Sequence, residues 1–182
     1  MQYTVEVKDM PAKEYLVIPG FVELGGSTPD SYAVQVQQME ARVADGSVAR
    51  LQAVSGSATV HALFCNTCVL DEATGGYICG NDIACENVNH AASGDGFEIV
   101  RLDTAMYAVF DCSFDGDITV ARAFQQVDDI YWGEWLHSQP YESMIETTTG
   151  ANTLGIAAVS SVTAMDDGFA IKIHYPIRRK EA

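Results

Sequence analysis

Positive charge is scarce in this chain. Its 182 residues carry ten Lys and Arg against 25 Asp and Glu, a formal net charge of −15 at pH 7. Recognition of nucleic acid through its phosphates needs a basic patch, so this balance argues against that class of function. An anionic membrane surface would be repelled for the same reason. Long hydrophobic runs are also missing, and without eighteen consecutive apolar residues no transmembrane helix is expected. The opening "MQYTVEVKDMPAKEYLVIPG" has no basic segment backed by an apolar stretch. No secretory leader is therefore expected, and the expected location is the cytoplasm. Five cysteines are an odd number, which does not make a complete disulfide framework, and they are expected as thiols. Cys65, Cys68, Cys79 and Cys85 invite a metal reading through the spacing of "CNTC". The second pair is separated by five residues, however, and Cys65 and Cys68 fall on opposite sides of an extended strand. The histidines, His61, His90, His137 and His174, are scattered with no His-x-x-x-His pair. A nucleophile elbow, a P-loop and a dinucleotide fingerprint are absent as well, so no metal or cofactor is expected.

What is present is material for a core. Hydrophobic residues make up 48% and charged residues 19%, enough for one domain or for one domain built from two similar halves. "YTVEVK" alternates as a strand, Pro11 marks a turn, and "EYLVIPG" resumes an extended run that stops at Pro19-Gly20. Residues 30–50 read as a helix, with Val36, Met39 and Val43 as its apolar stripe and Gly46 as an end or break. Four short extended runs follow between 57 and 114, separated by turn-forming "DEATGG", "NHAASGDG" and "TA". "GDITVARAFQQVDDIYWGEWLHS" reads as a second helix with Asp117 as candidate cap, and "MDDG" joins a closing strand pair. Each half is then a helix followed by antiparallel strands. The expected class is α+β, a duplicated strand-helix-strand-strand unit with halves of roughly 1–95 and 96–182.

The most unusual segment is "DDIYWGEWLHSQPYE", residues 128–142. It holds both tryptophans, Trp132 and Trp135, with Tyr131, Tyr141, Asp128, Asp129 and Glu134. Aromatic stripes at a helix end usually pack into a core. The alternative is one wall of a pocket for a flat, apolar or cationic molecule.

Five segments in order resemble the GyrI-like small-molecule-binding domains, which share a SOUL-like fold and serve as effector-binding domains of BmrR-type and Rob-type regulators. They are "YTVEVKDMPAKEYLVI", "GGYICGNDIACENV", "FEIVRLDTAMYAVFDCSF", "IYWGEWLHSQPYE" and "KIHYPIRRK", and together they span nearly the whole chain. The resemblance implies two strand-helix-strand-strand modules whose sheets form a concave surface, with a ligand groove under aromatic side chains. It places Trp135 and Tyr141 at the helix end overhanging that groove, beside Tyr131. Tyr107 and Phe110 fall on the strand running past it, and Tyr77 is the aromatic of the middle strand. Many members carry a glutamate in the strand after the last of these aromatics. Here that strand reads "TLGIAAVSS", with no acid, and the nearest upstream is Glu146. Lys172 and His174 also replace an acidic and an aromatic position of the closing strand.

The expected function is a stand-alone module that binds or sequesters an apolar or aromatic ligand, neutral or cationic. Its candidate site is Tyr77, Tyr107, Phe110, Tyr131, Trp135, Tyr141 and Glu146. One alternative is a hydrolase of reactive small molecules using Glu146 or Glu134 as general base. Another is an acidic regulator that docks on a protein partner or a second copy of itself.

Overall fold

The computed structural model describes residues 1–24, 31–73, 75–145, 150–151 and 155–181. The chain opens with β1 (Gln2–Met10) and β2 (Lys13–Ile18), consecutive strands that are not paired with each other, followed by the short β3 (Phe21–Leu24). The first helical region is α1 (Ser31–Ala44) and α2 (Ser47–Ser55). Gly46 separates them with φ +78, a left-handed conformation that glycine adopts without strain. The sequence pattern placed the break there but ended the helix at 50; the second segment runs five residues further, because Val48, Leu51 and Ser55 are buried on the sheet. β4 (His61–Asp71), β5 (Gly76–Glu86), β6 (Glu98–Leu102) and β7 (Ala105–Asp115) follow. Then come α3 (Val120–Ile130), a π-helical turn (Tyr131–Trp135) and the single turn α4 (Leu136–Ser138). Thr119 caps α3 by accepting from the Arg122 amide, where Asp117 was expected. The chain closes with β8 (Tyr141–Ser143), β9 (Gly150–Ala151), β10 (Ala158–Met165) and β11 (Gly168–Arg179).

The fold is α+β. All its strand pairings are antiparallel, and the strands form one sheet whose main path runs β1-β7-β11-β10-β4-β5-β2-β6. The order is two-fold about the β10–β4 seam: β7-β11-β10 on one side mirrors β2-β5-β4 on the other, each a strand, a helical crossing and a strand pair. The first strand of each half is exchanged, β1 pairing with β7 and β6 with β2.

Both helical regions cover the same face of this sheet. α3 buries Ala123 and Val127 on Phe110, Ile171 and Ile173, and α2 buries Val48 and Leu51 on Leu16 and Ile83. α1 differs from these. It has no buried residue, and it leans on α3 through a parallel stack of Tyr32 on Phe124, centroids 6.1 Å apart. Elsewhere it touches the sheet side through Met39, half-buried against Leu16 and Ile83, and through Gln38, which donates to the Phe21 carbonyl, and the space left beneath it is the groove described below. Among the described residues no helix is long and apolar enough to cross a membrane.

Candidate functional site

Helical spacing builds one wall of the groove. Phe124, Asp128 and Trp132 recur every four residues, so they share one side of α3 and its π-helical extension. That side faces α1 across a cavity of about 220 Å³, floored by Ile173 and Tyr175 of β11. A second cavity of about 350 Å³ continues under the apolar stripe of α1, Val36, Met39 and Val43, and reaches Asn81 and Ile83 of β5. The two share Tyr32, Gln35, Phe124 and Ser160, and so form one groove along the β10–β4 seam.

Asp128 is the charged centre of that groove. The Tyr32 hydroxyl donates to its Oδ2 and the Tyr175 hydroxyl to its Oδ1. Removal from water raises its pKa to about 6; the Tyr175 hydrogen bond opposes the rise, and neighbouring Asp129 adds to it. At neutral pH the group is thus a carboxylate held among rings, with no cation beside it among the described ion pairs. Aromatic faces attract positive charge through their quadrupole, and a desolvated carboxylate attracts it directly. Chemically the groove suits a flat apolar body, with a charge-selective position at its α3 end. The π-helical turn beside it, closed by the Leu136 amide on the Tyr131 carbonyl, is a local widening of the kind that recurs at functional sites.

The residues singled out by sequence divide between several places. Phe110, Tyr131, Trp135 and Tyr141 come together, but behind the groove. Phe110 and Tyr131 are fully buried. Trp135 meets Phe110 edge-on at 5.7 Å and lies parallel to Tyr141 at 6.2 Å. Tyr131 stacks on Tyr175 at 3.8 Å, so this aromatic cluster supports the tyrosine that holds Asp128. None of the four borders the two cavities. Tyr107 points to the opposite side of the sheet, because it lies three residues from Phe110 on one strand. Tyr77 is part of β5, paired with Leu24 and Leu70, and its side chain lies outside the described residues, as does Glu146. Glu134 is exposed on the π turn. Of the cysteines, Cys79, Cys85 and Cys112 are buried. Burial raises the thiols of Cys85 and Cys112, the latter to about 11, which keeps them unreactive.

The groove residues that sequence reasoning did not select are Tyr32, Phe124 and Tyr175, with Asp128 and Trp132 recognised only as part of the aromatic segment. The four-residue spacing of Phe124, Asp128 and Trp132 was the available signal: a carboxylate between two rings on one helical face.

The chain has the fold of the GyrI-like effector-binding domains. No protein-family model matches it, and no curated protein does. Solved structures do. SAV2435 bound to tetraphenylphosphonium superposes with a TM-score of 0.62 at 14% identity, over 98% of this chain and 94% of that one. A protein of Staphylococcus aureus MU50 described as a bacterial transcription regulator gives 0.57 at 14% identity, over 98% and 99%. The EcmrR C-terminal domain gives 0.51 at 10% identity, over 99% and 100%. At such identities the likeness is one of fold.

Proposed function

We propose that the protein is a small-molecule-binding module whose groove takes an aromatic cation, with Asp128 as counter-charge. The single observation that carries this reading is the placement of Asp128: a carboxylate at the end of an apolar groove, bonded by two tyrosine hydroxyls and raised to about 6 by loss of water. A half-buried carboxylate that has lost part of its hydration is stabilised by a partner of opposite charge, and a ligand cation would be that partner. The family's strand glutamate is absent from "TLGIAAVSS", and Asp128 supplies the same charge from the helix instead. Tetraphenylphosphonium, the ligand of SAV2435, is an aromatic cation of the kind this groove would hold.

The test is a titration with tetraphenylphosphonium followed by tryptophan emission and thermal shift, repeated with a neutral aromatic of similar area. The expected result is saturable quenching and stabilisation by the cation. Asp128→Asn should weaken the cation strongly and leave the neutral compound nearly unaffected. Equal binding of the cation by wild type and Asp128→Asn would defeat the reading. Product analysis on the bound compound distinguishes a binding module, in which it persists unchanged, from a hydrolase.

A further inference from the structure

The sheet has a second face, turned away from the helices. Along β7 and β11, Phe110, Ile173 and Tyr175 pack under α3, so the alternating Tyr107 and His174 point to the other side. There a separate cavity of about 100 Å³ opens between the β1–β2 turn and Leu102. Two ring pairs line it, Tyr15 edge-on to His61 at 5.7 Å and Tyr107 edge-on to His174 at 6.3 Å. Tyr15 and Tyr107 are 4% and 3% exposed, yet neither hydroxyl has a hydrogen-bond partner among the described residues. Neither hydroxyl oxygen is among the buried atoms that lack a partner, so both reach the cavity as open donors, available to water or to a ligand acceptor. His61 Nδ1 is buried and likewise unpartnered. His174 Nδ1 lies 3.2 Å from the Val159 carbonyl, which can only accept, so that nitrogen carries the proton and Nε2 offers a lone pair.

The charge on this face is unlike the rest of the molecule. Of the chain's four lysines, three belong to it: Lys13 lines the cavity, Lys8 pairs with Tyr107 across β1–β7, and Lys172 precedes His174 by two residues. They form ion pairs with Glu86, Glu6 and Asp111 respectively, leaving the face close to neutral in a chain of net charge −15. The one carboxylate among the lining residues, Asp103, is exposed. Burial, together with the nearby lysines, holds both imidazoles below their usual range, His61 at about 4. Both are therefore neutral acceptors at pH 7. Two imidazoles without a third ligand make a poor metal site, and among the described residues no cluster of three His, Cys, Asp or Glu could hold an ion.

We propose that this cavity binds a small carboxylic acid, its carboxylate accepting from the Tyr15 and Tyr107 hydroxyls beside Lys13 and its short apolar tail resting on Leu102 and Val159. A cavity of 150 Å³ accommodates benzene, so this one takes about four or five non-hydrogen atoms, the size of acetate or propionate. The neutral histidines accept from the acid's own proton or from one taken up on binding, so affinity rises as pH falls.

The experiment is an NMR titration of the full chain with propionate at constant ionic strength, read at the His174 ring protons. His61 borders both this cavity and the groove, whereas His174 borders only this one of the cavities described. Saturable shifts at millimolar propionate, about tenfold weaker binding in Tyr107→Phe, and wild-type binding in Asp128→Asn are expected. Tyr107→Phe removes a hydroxyl that bonds nothing in the protein, so it should fold with an unchanged Tm. Shifts matched by chloride, shifts that do not saturate, or full affinity in Tyr107→Phe would each overturn the proposal. The Asp128→Asn arm keeps this outcome separate from the fate of cation binding in the groove.

Discussion

Binding of a cation in the groove should depend on pH through Asp128. Its folded pKa, about 6, lies above its ordinary value of 3.8. Folding therefore favours the protonated form. The stability this group contributes is complete below about pH 4 and is lost as pH rises through about 6. The shift of roughly two units sets a ceiling of about 3 kcal/mol on the cost of keeping the carboxylate ionised at neutral pH without ligand. A bound cation reverses the preference, because it interacts with the ionised form alone. Apparent affinity should then follow the ionised fraction, which is nearly complete at pH 7.5 and about a tenth at pH 5, a fall of about tenfold. Tryptophan-emission titrations with tetraphenylphosphonium at several pH values and fixed ionic strength measure this directly. Asp128→Asn should give a flat profile, with affinity at pH 7.5 no better than wild type shows at pH 5. The ligand-free variant should also be more stable than wild type at pH 7.5, with the gain shrinking at pH 5. A pH slope that survives in Asp128→Asn, or a flat wild-type profile, would refute the assignment of Asp128 as counter-charge.

Other substitutions test the parts around it. In Tyr175→Phe the hydroxyl that lowers the Asp128 pKa is gone, so the midpoint of the binding profile should move up by about one unit. The two tryptophans should separate. Trp132→Phe, at a side chain 39% exposed on the groove, should abolish most ligand quenching with little change in Tm. Trp135→Ala should lower Tm through the aromatic cluster, with a cost within the about 3–5 kcal/mol known for truncating packed aromatics, while cation binding persists in the folded fraction. Gly168→Ala would set a Cβ 2.0 Å from the Phe114 carbonyl oxygen at φ +156, and should cost more than about 1 kcal/mol in denaturant unfolding.

Much of the architecture was legible because it rests on local signals. Alternation and turn chemistry marked the strands from β4 to β7 and the β10–β11 hairpin, and helical spacing marked α1 and α3. The element order also carried the duplication, now visible as the symmetry of β7-β11-β10 against β2-β5-β4. The exchange of β1 and β6 between the halves was not legible, since no residue pattern records which edge a strand joins. The site was harder for the same reason. Tyr107 and Phe110, three apart on one strand, had to fall on opposite faces, and parity alone could have separated them. By contrast, Tyr32 and Tyr175 reach Asp128 from 96 and 47 residues away, and only the fold brings them together.

Those long-range contacts also resolve why one segment holds so many rings. Core and groove are not competing explanations for "DDIYWGEWLHSQPYE", because the two are joined through one side chain. Tyr175 stacks on Tyr131 within the buried cluster and bonds Asp128 with its hydroxyl at the edge of the groove. A charged group held in poorly solvated surroundings keeps its geometry only if its hydrogen-bond donors are themselves immobile. Phe110 and Trp135, packed on Tyr131, supply that rigidity without touching the cavity. On the groove side Tyr32 comes from α1, the helix with no buried residue, and its stack on Phe124 is the link that brings the donor to Asp128. One donor is therefore anchored in the core and the other is carried by a loosely seated helix. Removing the first should displace Asp128 itself, whereas removing the second should chiefly open the groove. The distinction is measurable: Tyr175→Phe should shift the pH midpoint of binding, and Phe124→Ala should change ligand exchange rates more than that midpoint.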